Sequence, residues 1–150
     1  MKYPQALEDL IECFTHLPSV GKKSAERFAL YCLMHMEESE LIDFSNALIS
    51  ISKDIHICPE CGNICEDEVC SICKDPTRNH RQILVVEQIK DLFTIEKIND
   101  YRGVYHVLNG AISFSKGISI NELNINPLVE KAKSCALDEI IFCLLYTSDA

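Results

Sequence analysis

The chain has 150 residues, of which 47% are hydrophobic and 25% are charged, and its formal net charge is −9. These proportions are typical of a globular protein with one or two small domains. The excess of acidic residues argues against broad, non-specific attraction to nucleic acid, but it is compatible with a local basic contact. No apolar run is long enough to span a bilayer, and the first residues lack the apolar segment of a signal peptide, so we expect a cytoplasmic protein with no membrane partner.

The first third of the chain is predicted to be helical. Apolar residues recur three and four positions apart between residues 5 and 17, and the same spacing returns from Ala25 to Met36 and from about residue 38 to 53. The sequence Pro18-Ser19-Val20-Gly21 interrupts this pattern after the first segment. We therefore predict a helix, a tight hairpin, a second helix and a third helix.

The hairpin between the first two helices is a candidate binding site. A helix N-terminus leaves backbone N–H groups unpaired and carries partial positive charge, so it can hold a phosphate group without reading a base sequence. Lys22, Lys23 and Arg27 would reinforce that contact. The alternative interpretation is an ordinary helix–helix turn with solvated lysines.

Two C-x-x-C pairs in the middle of the chain predict a structural zinc site. Eight residues separate the first pair from the second, and the four cysteines are Cys58, Cys61, Cys70 and Cys73. Zinc takes four ligands in a tetrahedron and thiolates suit it, although iron is a chemical alternative. Four cysteine ligands leave no open position for a catalytic water. The eight-residue spacer is too short for a separate core, so metal binding would contribute much of the folding free energy of this segment.

The remaining cysteines and histidines are not predicted to be ligands. Cys65 lies between the pairs at a spacing that fits neither, so we interpret it as a small loop residue, although it could compete for metal or become oxidised. Cys13, Cys32 and Cys135 are predicted to be core residues. His56, next to the first pair, could be a fifth donor, but we prefer to interpret it as a strand residue.

The last part of the chain has the pattern of an α/β domain. Apolar runs predict strands at residues 82–87, 104–108 and 137–142, with helices at about 89–96 and 127–136 between them. Strand, helix and strand in succession indicate parallel pairing. Glu87 ends the first of these strands, where ligands of such sheets bind, and it could act as a general acid or a magnesium ligand. We prefer the interpretation that it is a charge near a helix N-terminus.

These segments together predict an α+β protein built from three modules. A helical helix-hairpin-helix region would cover residues 1–54 and a four-cysteine zinc finger residues 55–77. A partial α/β domain with a parallel sheet would cover residues 78–150.

Three motifs in this order resemble one family. The sequence Leu17-Pro18-Ser19-Val20-Gly21-Lys22-Lys23-Ser24-Ala25 is similar to the Leu-Pro-Gly-Ile-Gly-x-Lys-Ser-Ala element of helix-hairpin-helix DNA-binding proteins. The four-cysteine segment follows it. The sequence Ile83-Leu84-Val85-Val86-Glu87, together with the stretch from residue 101 to 113, is similar to a Toprim domain. In this combination, over about residues 1–142, the chain resembles the RecR family of bacterial recombination mediators.

The resemblance implies a function and a set of site residues. RecR-like proteins bind DNA, including junctions of single- and double-stranded DNA, as ring-like homo-oligomers described as tetramers. They act with RecO and RecF, help to load RecA on gapped or single-stranded DNA, and are not regarded as enzymes. By motif match, Lys23 and Arg27 would contact DNA with Lys22 beside them, and Glu87 would be the Toprim acidic position. One structural zinc ion per chain would be held by Cys58, Cys61, Cys70 and Cys73.

The chain departs from the family pattern at three places. Ser19 and Asn109 stand where the family has glycine, and Phe114-Ser115-Lys116 replaces a Pro-x-Asp sequence. If position 19 needs a positive φ, serine costs about 1 kcal/mol there. Family members continue beyond the position of Phe142 with a different sequence, so we expect a truncated or joined reading frame.

Two other functions fit parts of the pattern. A magnesium-dependent Toprim enzyme acting on nucleic acid would need an Asp-x-Asp partner for Glu87. A zinc-stabilised protein-interaction module without a DNA role would fit the acidic net charge.

Overall fold

A computed structural model describes residues 2–110, 124–134 and 137–143 of the chain. It divides into two compact units, Met1–Ser52 and Lys53–Ala150. The predicted fold class is confirmed, with a helical first part, a four-cysteine cluster and a parallel sheet. Cys135 and the segment 114–116 lie outside the described residues. Within the described ranges, no helix is both long enough and apolar enough to cross a membrane.

The first unit contains the three predicted helices. They are α1 (Gln5–Thr15), α2 (Lys22–His35) and α3 (Glu38–Asp54). A small core between α1 and α2 contains Ile11, Ala25 and Ala29. Alanine has little side chain, so α2 can approach α1 closely at these two positions. The hairpin that joins the two helices is held by this packing.

Cys13 is exposed, so its predicted place in the core is wrong, whereas the prediction for Cys32 is confirmed because that residue is buried. Cys13 is two positions from Ile11, or about 200° around α1, and therefore points away from α2. The spacing of apolar residues identified the helix correctly, but it could not show which residues beside the apolar stripe are buried.

The third helix has no buried residue in the described part of the chain. Its large apolar side chains are all more than a third exposed, and they are Leu41, Ile42, Phe44, Leu48, Ile49 and Ile51. The predicted apolar face therefore exists on α3, but no described residue buries it.

The second unit contains a three-stranded parallel sheet. Its elements in chain order are β1 (His56–Ile57), β2 (Ile64–Cys65), α4 (Ser71–Lys74), β3 (Asn79–Val86), α5 (Ile89–Ile98), β4 (Gly103–Val107), α6 (Asn126–Ser134) and β5 (Glu139–Phe142). The order across the sheet is β4-β3-β5, and β3 pairs in parallel with both neighbours. The first two short strands form a separate antiparallel pair.

The central strand begins three residues before its predicted start. Residues Asn79, His80 and Arg81 are polar and exposed, whereas Ile83 to Val86 are buried on both faces. The register to β4 shifts between Asn79 and Ile83. An apolar run reveals only the buried half of a strand, so the irregular polar half was not predicted.

The four-cysteine segment shares one core with the sheet. Cys58, Cys61 and Cys70 belong to the same buried cluster as the apolar residues of β3 and β4. The Val107 backbone N–H donates a hydrogen bond to the Cys61 carbonyl over 2.7 Å. Gly62 has φ +80°, and a Cβ atom there would lie 2.8 Å from the Val107 carbonyl oxygen. Glycine is therefore needed where this loop meets β4.

A partly buried ion pair joins the residue before β3 to α5. The Arg78 guanidinium donates two hydrogen bonds to Glu96, with N···O distances of 2.9 and 2.6 Å. The Tyr105 hydroxyl donates a third to the same carboxylate over 2.7 Å. The side chains of Arg78 and Glu96 are only 10% and 24% exposed. This network fixes the helix between the two strands that it connects.

Candidate metal centre and nucleic-acid interface

The two C-x-x-C pairs come together around one point. The Sγ atoms of Cys58, Cys61, Cys70 and Cys73 all lie within 4.8 Å of one another. Those of Cys61 and Cys70 are 3.6 Å apart. A tetrahedron with zinc–sulfur bonds of about 2.3 Å has edges of about 3.8 Å. The donor set therefore fits one tetrahedral ion with four sulfur ligands.

Backbone hydrogen bonds shape the loop of the first pair. The Cys58 N–H donates to the Asn63 carbonyl over 2.6 Å, and the Gly62 N–H donates to the Cys58 carbonyl over 2.9 Å. Other backbone N–H groups point at sulfur, since that of Asn63 lies 3.5 Å from Cys61 Sγ and that of Cys70 lies 3.4 Å from Cys58 Sγ. Such donors stabilise thiolates, the form in which cysteine binds metal.

The thiols do not all ionise easily without a cation. Burial opposes ionisation of Cys58, but several backbone N–H donors outweigh burial and lower its pKa to about 7. A hydrogen bond to Cys73 and burial raise the pKa of Cys61 far above its usual range. Burial raises the pKa of Cys70 to about 11. Because four close thiolates repel one another, a bound cation is the natural compensation for this cluster.

Cys65 lies outside the four-cysteine set, as predicted, but in strand β2 rather than in a loop. It pairs across the hairpin with His56, which confirms that His56 is a strand residue. The Cys65 Sγ and His56 Nε2 atoms are 3.4 Å apart. Cys65 therefore contacts the neighbouring strand and lies outside the four-cysteine set.

The hairpin presents the N-terminus of α2 together with basic side chains. Gly21 precedes the helix in an extended conformation without a side-chain cap. The Ala25 N–H donates to the Gly21 carbonyl over 3.0 Å, so the N–H groups of Lys22 and Lys23 lie in the open first turn. These N–H groups and the positive end of the helix dipole are available to a phosphate group.

Basic charge in the first unit is concentrated at this helix end. Of the four Lys and Arg residues among residues 1–52, three are Lys22, Lys23 and Arg27. All three are exposed. Lys23 and Arg27 are four residues apart and therefore share one face of α2. The Arg27 guanidinium carbon lies 5.5 Å from the centre of the Phe28 ring, within the range of a cation–π contact.

The hairpin turn places a non-glycine residue in the left-handed region. Ser19 has φ +65°, so the condition set out from the sequence is met. The Val20 N–H donates to the Leu17 carbonyl over 3.2 Å and closes the turn. Asn109, the other replacement of a family glycine, has φ +60°. Both positions keep the conformation that glycine would favour.

Glu87 follows directly after β3, at the carboxyl end of the sheet. Its carbonyl oxygen accepts a hydrogen bond from the Gly110 N–H over 3.1 Å. The nearby Asp91 is buried and accepts a hydrogen bond from the Gln88 N–H over 3.0 Å, as part of the capping box of α5. Asp91 is therefore engaged in helix capping.

Two aromatic residues near the basic face were missed by the sequence reasoning. Tyr31 and His35 line the same cavity as Lys23 and Arg27, which has a volume of about 510 Å³. Their positions continue the four-residue spacing of the two cations along α2. That spacing was the signal available in the sequence, but Tyr31 and His35 each also fit an ordinary helix surface.

Comparison with known proteins gives a consistent result for each part of the chain. The family model described as RecR, helix-hairpin-helix matches residues 7–51, and the model of the RecR four-cysteine zinc finger domain matches residues 55–75. The model of the Toprim domain matches residues 81–149. The four-cysteine cluster thus corresponds to a zinc finger, and zinc is the ion that its donor set would hold.

Curated relatives match almost the whole chain. Recombination protein RecR of Lactococcus lactis subsp. cremoris (strain MG1363) is 43% identical over 149 residues, which cover 99% of this chain and 75% of the relative. Proteins of the same name from Limosilactobacillus reuteri (strain DSM 20016) and Lactobacillus helveticus (strain DPC 4571) are 43% and 45% identical over 150 residues, covering 74% and 75% of their lengths. The chain thus spans about three-quarters of these relatives. With all three motifs in order and this identity over 99% of its length, the chain belongs to the RecR family.

Proposed function

We propose that this chain is a DNA-binding mediator of recombinational DNA repair that acts with RecO and RecF to help load RecA on gapped or single-stranded DNA. The observation that carries the proposal is the open N-terminus of α2 with Lys22, Lys23 and Arg27 around it. Phosphate contacts of this kind supply affinity without base specificity. The RecR relatives are named recombination proteins, which supports the same role.

The other parts of the chain would support that role. In the proposed division, residues 1–54 bind DNA, residues 55–77 form the zinc finger and residues 78–150 form part of a Toprim domain. The zinc ligands would be Cys58, Cys61, Cys70 and Cys73, whose closed tetrahedral set fits a structural ion. The chain would act in the cytoplasm as a ring-like homo-oligomer, a tetramer by analogy with the family, on junctions of single- and double-stranded DNA.

We also propose that the Toprim part is not catalytic here. A magnesium site for nucleic-acid chemistry needs more than one free carboxylate. Next to Glu87, the Asp91 carboxylate is buried and occupied in helix capping. Incubation of supercoiled DNA with the protein and magnesium should leave the DNA intact. Cleavage or relaxation that disappears in Glu87→Gln would contradict this part of the proposal.

The DNA-binding role is tested by charge reversal on α2. The double variant Lys23→Glu/Arg27→Glu should bind DNA more weakly than the unchanged protein, since two phosphate contacts become repulsive. The slope of log affinity against log salt should also fall, by about 0.7–0.9 for each lost contact. Fluorescence anisotropy with labelled DNA at several salt concentrations measures both quantities.

A matched control changes the net charge equally elsewhere. Lys97→Glu/Lys133→Glu alters two exposed lysines on α5 and α6. It should leave affinity and salt slope nearly unchanged. Equal losses in the two double variants would mean that net charge, and not the α2 surface, governs binding.

A further inference from the structure

One face of α2 carries a line of four side chains that the phosphate contact does not fully use. Lys23, Arg27, Tyr31 and His35 follow one another at intervals of four residues, so they lie along the same side of the helix. All four are exposed and line one open cavity of about 510 Å³. The line extends about 18 Å along the helix axis. Two cations thus occupy one end and two aromatic rings the other.

The two rings lie next to each other and are open to solvent. The centres of the Tyr31 and His35 rings are 5.1 Å apart and their planes are tilted by 37°. Tyr31 is 59% exposed, although a tyrosine ring is large and mostly apolar. The core of the first unit consists of Ile11, Ala25 and Ala29, so it does not include Tyr31.

We propose that Tyr31, with His35 beside it, stacks on the bases of single-stranded DNA whose phosphates are held by Lys23 and Arg27. The inference rests on the DNA-binding role proposed above and adds a preference for single strands. In a duplex the base faces are covered by neighbouring bases, whereas a single strand offers them to aromatic side chains. Base stacking on an aromatic ring changes affinity by about 5- to 150-fold per base.

The charges around the cavity agree with a nucleic-acid ligand. Glu26 is the acidic residue among the side chains that line it. Its carboxylate accepts a hydrogen bond from the Tyr3 hydroxyl, which raises the pKa of Tyr3. Among the lining residues, Lys23 and Arg27 outnumber this single carboxylate, so the formal charge of the lining is positive. Leu30 and Met34 add apolar walls that suit the flat face of a base.

The first experiment compares two substitutions of the same ring. Tyr31→Phe keeps the aromatic ring, whereas Tyr31→Leu keeps an apolar side chain but removes the ring. Anisotropy is measured with a labelled thymidine oligonucleotide and with a duplex of equal length. Tyr31→Leu should weaken single-strand binding at least about 5-fold and leave duplex binding unchanged, and Tyr31→Phe should bind both like the unchanged protein.

The outcomes separate this inference from the proposed function. If Lys23→Glu/Arg27→Glu changes neither single-strand nor duplex binding, the DNA-binding role itself fails. If the double variant weakens both single-strand and duplex binding, two results for Tyr31→Leu overturn stacking. They are an unchanged affinity for both DNAs and an equal loss for both DNAs, and in either case the α2 surface binds only phosphates. If the rings of Tyr31 and His35 served a protein partner or a second copy instead, Tyr31→Leu would leave DNA binding unchanged, which is the first of these two results.

A spectroscopic experiment makes the test independent of the stability of Tyr31→Leu. The chain contains no tryptophan, so Tyr31→Trp introduces a single indole fluorophore. Stacking on a base should quench its emission when the thymidine oligonucleotide is added, and the duplex should have little effect. Binding seen by anisotropy without quenching would overturn the proposal. The same titration of His35→Trp reports whether the strand reaches the far end of the line.

Discussion

At the scale of single residues, the backbone has an unusual conformation at two positions where the chain departs from its family. Ser19 and Asn109 both have φ near +60°, the region that glycine enters without cost. Asparagine tolerates this region better than most residues because its short polar side chain can bond locally. Serine is less well suited, so the hairpin next to the basic surface carries the greater strain.

Replacement of Ser19 by glycine should therefore stabilise the first unit. We expect a gain of about 0.5–1 kcal/mol in the free energy of unfolding, because relief of the left-handed strain exceeds the added entropy of glycine in the unfolded chain. Urea denaturation followed by circular dichroism measures it. Ser19→Ala keeps the Cβ atom and should give no gain. Equal stability of the glycine and alanine variants would contradict the role of φ.

The Arg78–Glu96 pair predicts a pH dependence of stability. Burial alone would raise the pKa of Glu96, but hydrogen bonds from Arg78 and Tyr105 outweigh burial and lower it. Because the folded-state pKa lies below the unfolded one, the stabilisation is complete above the ordinary glutamate pKa. It is lost as the pH falls below about 4.3.

Glu96→Gln should remove that contribution. We expect about 1–3 kcal/mol of destabilisation at neutral pH, since Arg78 would lose its closer charged partner and keep Asp75, whose Oδ2 lies 3.8 Å from Arg78 Nε. The unfolding free energy of the variant should fall less steeply below about pH 4.3 than that of the unchanged protein. Denaturation at several pH values tests this, with the exposed Glu130→Gln as the control. Parallel pH curves for Glu96→Gln and the unchanged protein would contradict the assignment.

At the scale of elements, the zinc-finger segment is too small to hold itself together. Its two strands have two residues each and its helix, α4, has four. Elements of this length are not stable in isolation. Their order comes from the shared core with β4 and from the ion that the four cysteines would bind.

Removal of one ligand should therefore release the metal and unfold the zinc-finger segment, but leave the helical unit folded. Cys58→Ser should lower bound zinc from about one ion per chain, measured by atomic absorption, and expose the amides of residues 55–75 to faster hydrogen exchange. The amides of α1 and α2 should keep their protection. Cys65→Ser is the matched control and should retain zinc, since Cys65 lies outside the set. Loss of zinc in that control would assign Cys65 a ligand role.

At the scale of the whole molecule, the apolar face of α3 is a surface that no residue in the described ranges covers. Leu41, Phe44, Leu48 and Ile51 share one side of this helix, and each is at least 37% exposed. A contiguous apolar face of this kind marks an interaction surface in most proteins. It supports the proposed assembly of several copies of the chain.

A charge on that face should weaken self-association. Leu48→Glu is expected to shift the protein toward smaller species at equal concentration, because a carboxylate would be buried in an apolar contact. Sedimentation velocity at several concentrations measures the shift. Ser50→Glu adds the same charge about 160° away around α3, and it should leave the distribution unchanged. An unaltered distribution for Leu48→Glu would remove α3 from the interface.

Much of the fold followed from local patterns. The periodicity of apolar residues identified all three N-terminal helices, and continuous apolar runs identified β3, β4 and β5. These signals are informative because the spacing of apolar residues follows the period of a helix or a strand. Boundaries were less certain, since the polar first half of β3 depends on pairing with Gly103 and not on its own composition.

In the candidate sites, too, some features follow from local sequence patterns and others only from tertiary contacts. The sequence by itself predicted the four-cysteine set, whose Sγ atoms the structure brings within 4.8 Å of one another, and the basic hairpin, because the spacing of two C-x-x-C pairs and of a glycine turn before lysines constrains geometry locally. Only the tertiary structure decided that the zinc segment packs on β4, that Arg78 pairs with Glu96, and that Cys13 is exposed. Those contacts join residues far apart in the chain or depend on which side of a helix meets its neighbour, so no local pattern encodes them.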